Sequence, residues 1–143
     1  MANTLQLEIV TPERLVVRDE AEVVQIPGKN GYLGILPDHA PLITELGVGQ
    51  IAYRKGNVIR YLATAWGFAE VLPHKVTILA ETAELPEEID VTAAQHARDQ
   101  AEKALGSASG EELQSLQAAL ALAEARLQTA SSASRADLAN LIP

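Results

Sequence analysis

The amino-acid composition changes abruptly near residue 85, and this change restricts the folds open to the chain. Before it, short apolar runs alternate with Gly and Pro. From Asp90 onward, Ala, Glu, Gln and Leu dominate. The first pattern is typical of short strands joined by turns, and the second is typical of helices. The sequence therefore predicts an α+β fold with an N-terminal β-sandwich domain over residues 1–84 and a C-terminal domain, an antiparallel two-helix hairpin, over residues 85–143.

Alternation of apolar and polar residues marks the candidate strands of the first part. Residues 5–9 alternate at the start of the chain, and residues 58–64 alternate again after a turn-forming sequence at 54–57. Turn signals recur about every 8–12 residues, which is the spacing of an all-β sandwich. We expect about ten short strands. One of the strand ends should fall at Trp66-Gly67.

Residues 28–49 form a segment that is dense in Gly and Pro. Gly31 and Gly34 enclose one apolar run, and two prolines enclose the tripeptide 38–40. Gly permits unusual backbone angles, whereas Pro fixes φ and removes a hydrogen-bond donor. The segment is too apolar for a linker and too interrupted for a helix. It predicts two or three very short strands with tight corners between them.

The second part of the chain predicts a first helix and then a short loop. Asp90 is suited to cap this helix, although Thr92 with Gln95 forms a rival capping box. The helix should end near Leu105. Residues 106–110 are small and polar, as expected for the loop.

Ser109 with Glu112 forms another capping box, so a second helix should begin there and extend to about Thr129. Because the loop between them is short, the two helices should pair as an antiparallel hairpin. The tail from Ser131 onward is rich in Ser and Ala and should fray. Its apolar residues are Leu138, Leu141 and Ile142.

Small residues dominate the predicted seam of this hairpin. The first helix presents Ala94, Ala97, Ala101 and Ala104, and the second presents Leu113, Leu116, Leu120, Ala123 and Leu127. A buried methyl group contributes about 0.8 kcal/mol, against about 1.5–3 kcal/mol for a large aliphatic side chain. The pattern is compatible with an ordinary stable hairpin and, equally, with one that can detach, unfold or extend.

Net charge and composition argue against several classes of partner and of chemistry. The formal net charge is −8, most of it in the second part, which disfavours nucleic acid and direct insertion into an anionic lipid surface. Cysteine is absent, which excludes disulfides and thiolate chemistry and fits a cytosolic compartment. We expect neither a signal peptide nor a membrane-spanning segment.

The sequence contains no motif that indicates catalysis or metal binding. No phosphate-binding loop of the Gly-x-x-x-x-Gly-Lys-Ser/Thr type is present. His39, His74 and His96 are far apart and lack metal-ligand spacing. Glu70 lies between apolar residues of a strand and is expected to face solvent or an ion pair. We therefore expect no catalytic and no metal-binding residues, and a role in binding or assembly.

Residues 31–44, with the sequence Gly-Tyr-Leu-Gly-Ile-Leu-Pro-Asp-His-Ala-Pro-Leu-Ile-Thr, resemble the signature region of the epsilon subunits of bacterial F-type ATP synthases. The resemblance extends to residues 7–12, 66–71 and 76–81 and to the order of a sandwich before a helical hairpin. It thus covers nearly the whole chain.

The resemblance implies a non-catalytic rotor subunit of the central stalk that couples proton translocation to ATP synthesis. Its sandwich would link the gamma subunit to the ring of c subunits. Its hairpin would lie on the sandwich or extend toward the alpha/beta catalytic head and inhibit ATP hydrolysis. Its place would be peripheral, on the cytoplasmic face of the bacterial inner membrane.

Individual positions follow from the same resemblance. The contact loop for the c-ring maps onto Gly28, Lys29, Asn30, Gly31 and Tyr32. Tyr32 stands where many relatives carry an acidic residue, so a purely electrostatic contact with the ring is not expected.

Two further features complete the resemblance. His39 lies in the region associated with gamma. Some relatives bind ATP at the hairpin through an Ile/Leu-Asp-x-x-Arg-Ala motif, and here Asp90 matches while position 93 is Ala. Arg126 is the candidate on the second helix. Because one guanidinium partner for phosphate is missing, we expect weak or absent ATP binding and no required cofactor.

Two other functional classes remain open from the residues alone. The first is a stand-alone β-sandwich that binds a small ligand or serves as an adaptor. The second is an enzyme that uses surface carboxylates. Copurification with a gamma-like subunit would separate the stalk subunit from the first, and a broad hydrolase screen would test the second.

Overall fold

A computed structural model of the chain describes residues 3–132, and these residues form seven strands followed by helices. The strands are β1 (Leu5–Val10), β2 (Leu15–Ala21), β3 (Val23–Gly28), β4 (Gly31–Ile35), β5 (Leu42–Lys55), β6 (Val58–Leu72) and β7 (Lys75–Glu84). A 3-10 turn (Pro86–Glu88) then leads into α1 (Val91–Leu105) and α2 (Gly110–Ser132). This confirms the predicted α+β class and the order of β part before helices.

The strands form one hydrogen-bonded sheet in the order β2-β1-β7-β6-β5-β3-β4. All neighbouring pairs are antiparallel except β1 and β7, which are parallel. Ile9 of β1 and Ile35 of β4 come from opposite ends of this strand order, yet both are fully buried in the same hydrophobic core. The sheet therefore folds over on itself, so that its two ends become the two layers of a sandwich.

Strands β5 and β6 contain 14 and 15 residues and pair along almost their whole length. The break expected at Trp66-Gly67 is not a strand end but a local twist inside β6, with positive φ angles of 52° and 130° at the two residues. The pairing register is the same on both sides of it. The seven observed strands are fewer than the expected ten because segments predicted as separate strands belong to these long ones.

The helical hairpin follows the predicted course with small shifts at its ends. The Asp90 carboxylate accepts a hydrogen bond from the Ala93 amide over 3.0 Å, which makes Asp90 the N-cap of α1. Ala94 and Ala101 are buried in the seam as expected, but Ala97 is exposed. The expected frayed tail, apart from its first two residues at the end of α2, lies outside the described residues.

Helix α2 buries a second face that the seam prediction did not contain. Ala125 and Thr129 are buried and lie four residues apart, so they share one side of the helix. That side faces the sheet, because Thr129 is hydrogen-bonded to Gln50 of β5. Helix α2 therefore packs between the sandwich and α1, and α1 packs mainly on α2.

Replacing Gly67 by Ala should strongly destabilise the sandwich. The new Cβ would lie 2.0 Å from the carbonyl oxygen of Leu79, and φ at this position is 130°. We expect the free energy of unfolding, measured with denaturant, to fall by about 3 kcal/mol. Gly106→Ala is the matched control, because Gly106 has a helical φ of −66° and open surroundings. Equal stability of the two variants would contradict this account of the twist.

Candidate docking surfaces

The loop predicted to contact the c-ring is the tip of the β3–β4 hairpin. Gly28 pairs with Gly31, so Lys29 and Asn30 are the two exposed residues of the turn. The Lys29 amide donates to the Glu45 carbonyl over 3.0 Å, and Lys29 Nζ lies 3.2 Å from the Glu45 carboxylate. The turn is thus held against the first part of β5, with its polar tip open to solvent.

Tyr32 follows this turn and lies across β5. The residue is 51% exposed, and its hydroxyl accepts a hydrogen bond from the Gln50 backbone amide over 3.1 Å. A Cβ at position 49 would lie 2.5 Å from the Tyr32 hydroxyl, so the glycine at that position is what allows the ring to lie there. Tyr32 therefore adds a half-exposed aromatic surface next to the turn.

His39 lies in the corner between β4 and β5. His39 Nδ1 is 2.7 Å from the Ala40 carbonyl oxygen, and the Asp38 amide donates to the Pro73 carbonyl over 2.7 Å. Asp38 also has a positive φ of 71°. These bonds fix the corner beside the β6–β7 turn, apart from the β3–β4 tip. The structure thus places His39 and the predicted ring loop on different loops.

The outer face of one layer carries an apolar patch that the sequence interpretation missed. Phe68 and Leu79 are paired across β6 and β7 and are each 54% exposed. Leu79 is also paired with Val10 of β1, which is paired with Leu15 of β2. Ile43, on the neighbouring strand β5, is 70% exposed. We call these five residues the outer apolar patch.

A recognisable signal for this patch exists in the sequence. Ile9-Val10 and Ile78-Leu79 each place two large apolar residues in succession, whereas a strand with one solvated face alternates apolar with polar. The first residue of each pair is fully buried in the core, so the second must point outward. Contiguous exposed apolar surface of this kind marks interaction sites in soluble proteins.

Charged groups border the outer apolar patch. Glu70 is exposed and pairs with Ile43, which confirms the expectation that it faces solvent. Glu8 is hydrogen-bonded by Arg18 and contacts Lys75, and these two cations lower the pKa of its carboxyl group. Glu8 is therefore ionised at neutral pH, and the patch has a polar rim, as a protein–protein interface does.

The second surface of interest lies between the hairpin and the sandwich. Arg126 of α2 forms an ion pair with Glu84 of β7, with 2.8 Å from Nε to Oε1 and 3.2 Å from Nη2 to Oε2. On β5, the Gln50 side-chain amide donates to the Thr129 and Ser132 hydroxyls over 3.2 and 3.3 Å. These polar contacts join α2 directly to the sheet.

The linker between sandwich and hairpin is itself fixed. The Glu88 carboxylate accepts from the Leu85 amide over 2.9 Å and forms an ion pair with Arg14. Both interactions favour the ionised form and lower the Glu88 pKa, the amide contributing more. Arg14, Glu88 and Arg126 line the same groove of about 370 Å³ beside β7.

The two candidate ATP residues are both engaged within the chain. Asp90 caps α1, and Arg126 is paired with Glu84. Among residues 3–132, no three or more His, Asp or Glu side chains are arranged to hold a metal ion, and His39, His74 and His96 are not brought together. Within the same residues, no helix is long and apolar enough to cross a membrane.

Comparison with known proteins identifies the family of the chain. Residues 4–86 match the family model of the ATP synthase delta/epsilon chain β-sandwich domain, and residues 87–131 match that of the long α-helix domain. An ATP synthase epsilon chain of Koribacter versatilis is 65% identical over 111 residues, which is 78% of each chain. One from Desulfitobacterium hafniense strain Y51 is 45% identical over 130 residues, 91% of this chain and 98% of the relative.

Solved structures have the same fold. A chain of the Euglena gracilis mitochondrial ATP synthase (OSCP/F1/c-ring) matches with a TM-score of 0.77 and 20% sequence identity. The match covers 90% of this chain and 82% of the Euglena chain. A chain of the Tetrahymena thermophila mitochondrial ATP synthase (central stalk/c-ring) matches with a TM-score of 0.55 and 16% sequence identity. This match covers 92% of this chain and 96% of the Tetrahymena chain. From the matches to both of its domain models, the chain belongs to the family of ATP synthase delta/epsilon chains.

Proposed function

We propose that this chain is the epsilon subunit of a bacterial F-type ATP synthase, a non-catalytic rotor subunit of the central stalk. The observation that carries the proposal is the match of both parts of the chain, in order, to the two domains of the family. The subunit takes part in ATP synthesis by linking gamma to the c-ring. It acts at the cytoplasmic face of the bacterial inner membrane as a peripheral subunit. Family membership favours this role over a stand-alone ligand-binding or adaptor sandwich.

In this proposal the chain divides into a docking domain, residues 1–84, and a regulatory hairpin, residues 85–143. The β3–β4 tip, from Gly28 to Tyr32, contacts the c-ring. Because its turn is polar and Tyr32 is half exposed, hydrogen bonds and aromatic contact would contribute beside charge.

The outer apolar patch is the docking site for gamma in this proposal. In this patch, large apolar side chains from β2, β1, β7 and β6 lie next to one another on the outer face of the sandwich. Ile43 adds a side chain from a fifth strand, β5. The corner that contains His39 directly precedes β5, the strand that carries Ile43. The patch and the corner together would therefore present one continuous surface to gamma.

The regulatory role of the hairpin supplies the decisive experiment. ATP hydrolysis by the assembled catalytic sector is measured with the full chain and with a chain that lacks residues 90–143. The shorter chain keeps Leu85, which packs against the sandwich core. We expect hydrolysis to rise severalfold when the hairpin is absent, because the inhibiting element is lost. Equal hydrolysis, with the shortened chain shown to be bound to gamma, would refute the inhibitory role.

Charge placed in the outer apolar patch should weaken gamma binding. Phe68→Glu or Leu79→Glu puts a carboxylate where an apolar contact is proposed, and the affinity for purified gamma should fall by at least about tenfold. Val58→Glu is the control, because Val58 is similarly exposed (48%) but lies at the β5–β6 turn. Unchanged affinity in both patch variants, or an equal loss in the control, would exclude the patch as the docking site.

ATP should bind the isolated chain weakly or not at all. The hairpin has Ala at position 93, and its remaining candidate arginine, Arg126, is already paired with Glu84. Titration calorimetry should detect no micromolar binding, and Ala93→Arg should strengthen whatever binding exists. Micromolar affinity of the unaltered chain would contradict the prediction.

A further inference from the structure

Helix α2 contacts the sandwich across three adjacent strands. Gln50, Ala63 and Glu84 lie side by side on β5, β6 and β7, because Ala63 is paired with both of the others. Gln50 contacts Thr129 and Ser132, and Glu84 contacts Arg126. The two polar residues therefore flank a small apolar one, and each of them binds α2.

The spacing of these contacts fits a helix that crosses the strands. Gln50 and Glu84 are two strand separations apart, which is about 9.6 Å. Arg126 and Ser132 are six residues apart along α2, which is about 9 Å at 1.5 Å per residue. The two ends of this helical segment thus lie above the two polar residues, with the single methyl group of Ala63 between them.

The buried apolar residues nearest to these polar contacts are small. Ala63 and Ala65 are buried on the sheet, and Ala125 is buried on the helix. The polar contacts are partly shielded from water: the Arg126 side chain is 23% exposed and that of Glu84 is 29%. An ion pair in such a position is screened less by salt than one on an open surface.

We propose that the Arg126–Glu84 ion pair, together with the Gln50 contacts to Thr129 and Ser132, is a latch that holds the hairpin on the sandwich. This inference rests on the proposed function, since it names the contacts that govern the position of its regulatory element. The latch is reversible because every group in it can be hydrated once the helix leaves. The balance between attached and detached hairpin therefore depends on a few polar contacts.

Site-directed spin labels in the full chain test the latch directly. The chain has no cysteine, so Asn57→Cys on the β5–β6 turn and Gln114→Cys on α2 introduce the only two labelling sites. Both positions are exposed and outside the latch. The distance distribution between the labels reports the fraction of attached hairpin in the isolated protein.

Arg126→Gln and Glu84→Gln should each raise the ratio of detached to attached hairpin by about 5- to 30-fold. The charge-swapped pair Glu84→Arg with Arg126→Glu should restore part of the attached fraction. Arg98→Gln is the matched control, because Arg98 forms its ion pairs with Asp99 and Glu102 within α1. An attached fraction unchanged from the parent in both single variants, or equally reduced by Arg98→Gln, would overturn the latch.

Circular dichroism distinguishes detachment of the hairpin from unfolding. Each variant should keep the strand and helix content of the parent chain, so that a longer label distance reports a detached hairpin. Loss of helix content in both single variants, in step with the change in distance, would show unfolding and overturn the latch.

The latch and the inhibitory role are tested by different experiments, so either hypothesis can be refuted without the other. The label experiment needs no other subunit, whereas the deletion experiment needs the assembled catalytic sector. If the latch variants release the hairpin while its deletion leaves ATP hydrolysis unchanged, the latch stands and the inhibitory role fails. If deletion raises hydrolysis while the latch variants keep the hairpin attached, the inhibitory role stands and the latch fails.

Discussion

Strands β5 and β6 run together through both layers of the sandwich, and their shared register holds the layers in one sheet. The twist at Trp66-Gly67 lets β6 turn from one layer to the other without losing its partners. The outer apolar patch lies on one side of this twist, and the sheet surface under α2 lies on the other. The geometry of one glycine therefore sets the relative orientation of the two surfaces that carry the proposed contacts.

The two surfaces differ in the kind of contact they offer. The outer apolar patch is built from large side chains, and burying such residues favours lasting association. The sheet under α2 is built from alanines with polar residues beside them, which permits a contact that forms and breaks. A rotor subunit that remains on its stalk while one of its elements moves would need both kinds of surface. The presence of both kinds of surface on the sandwich agrees with the proposed function.

Local sequence signals predicted most of the fold, and long-range pairing accounts for the differences. Asp90 could be recognised as a cap because capping is decided within one turn of helix. The continuity of β6 through Trp66-Gly67 could not be recognised, since it depends on neighbouring strands that are distant in sequence. The Arg126–Glu84 pair joins residues 42 positions apart and has no local signature. The outer apolar patch did have one, in the paired apolar residues Ile78-Leu79.

Gln50 of β5 is hydrogen-bonded to two other elements, β4 and α2. Its backbone amide donates to the Tyr32 hydroxyl, while its side chain donates to Thr129 and Ser132 of α2. A shift of the β3–β4 tip against a neighbouring subunit would therefore be transmitted through Gln50 to the last turn of α2. If the tip contacts the c-ring and the hairpin inhibits hydrolysis, as proposed, a load on the tip would change how readily the hairpin leaves the sandwich.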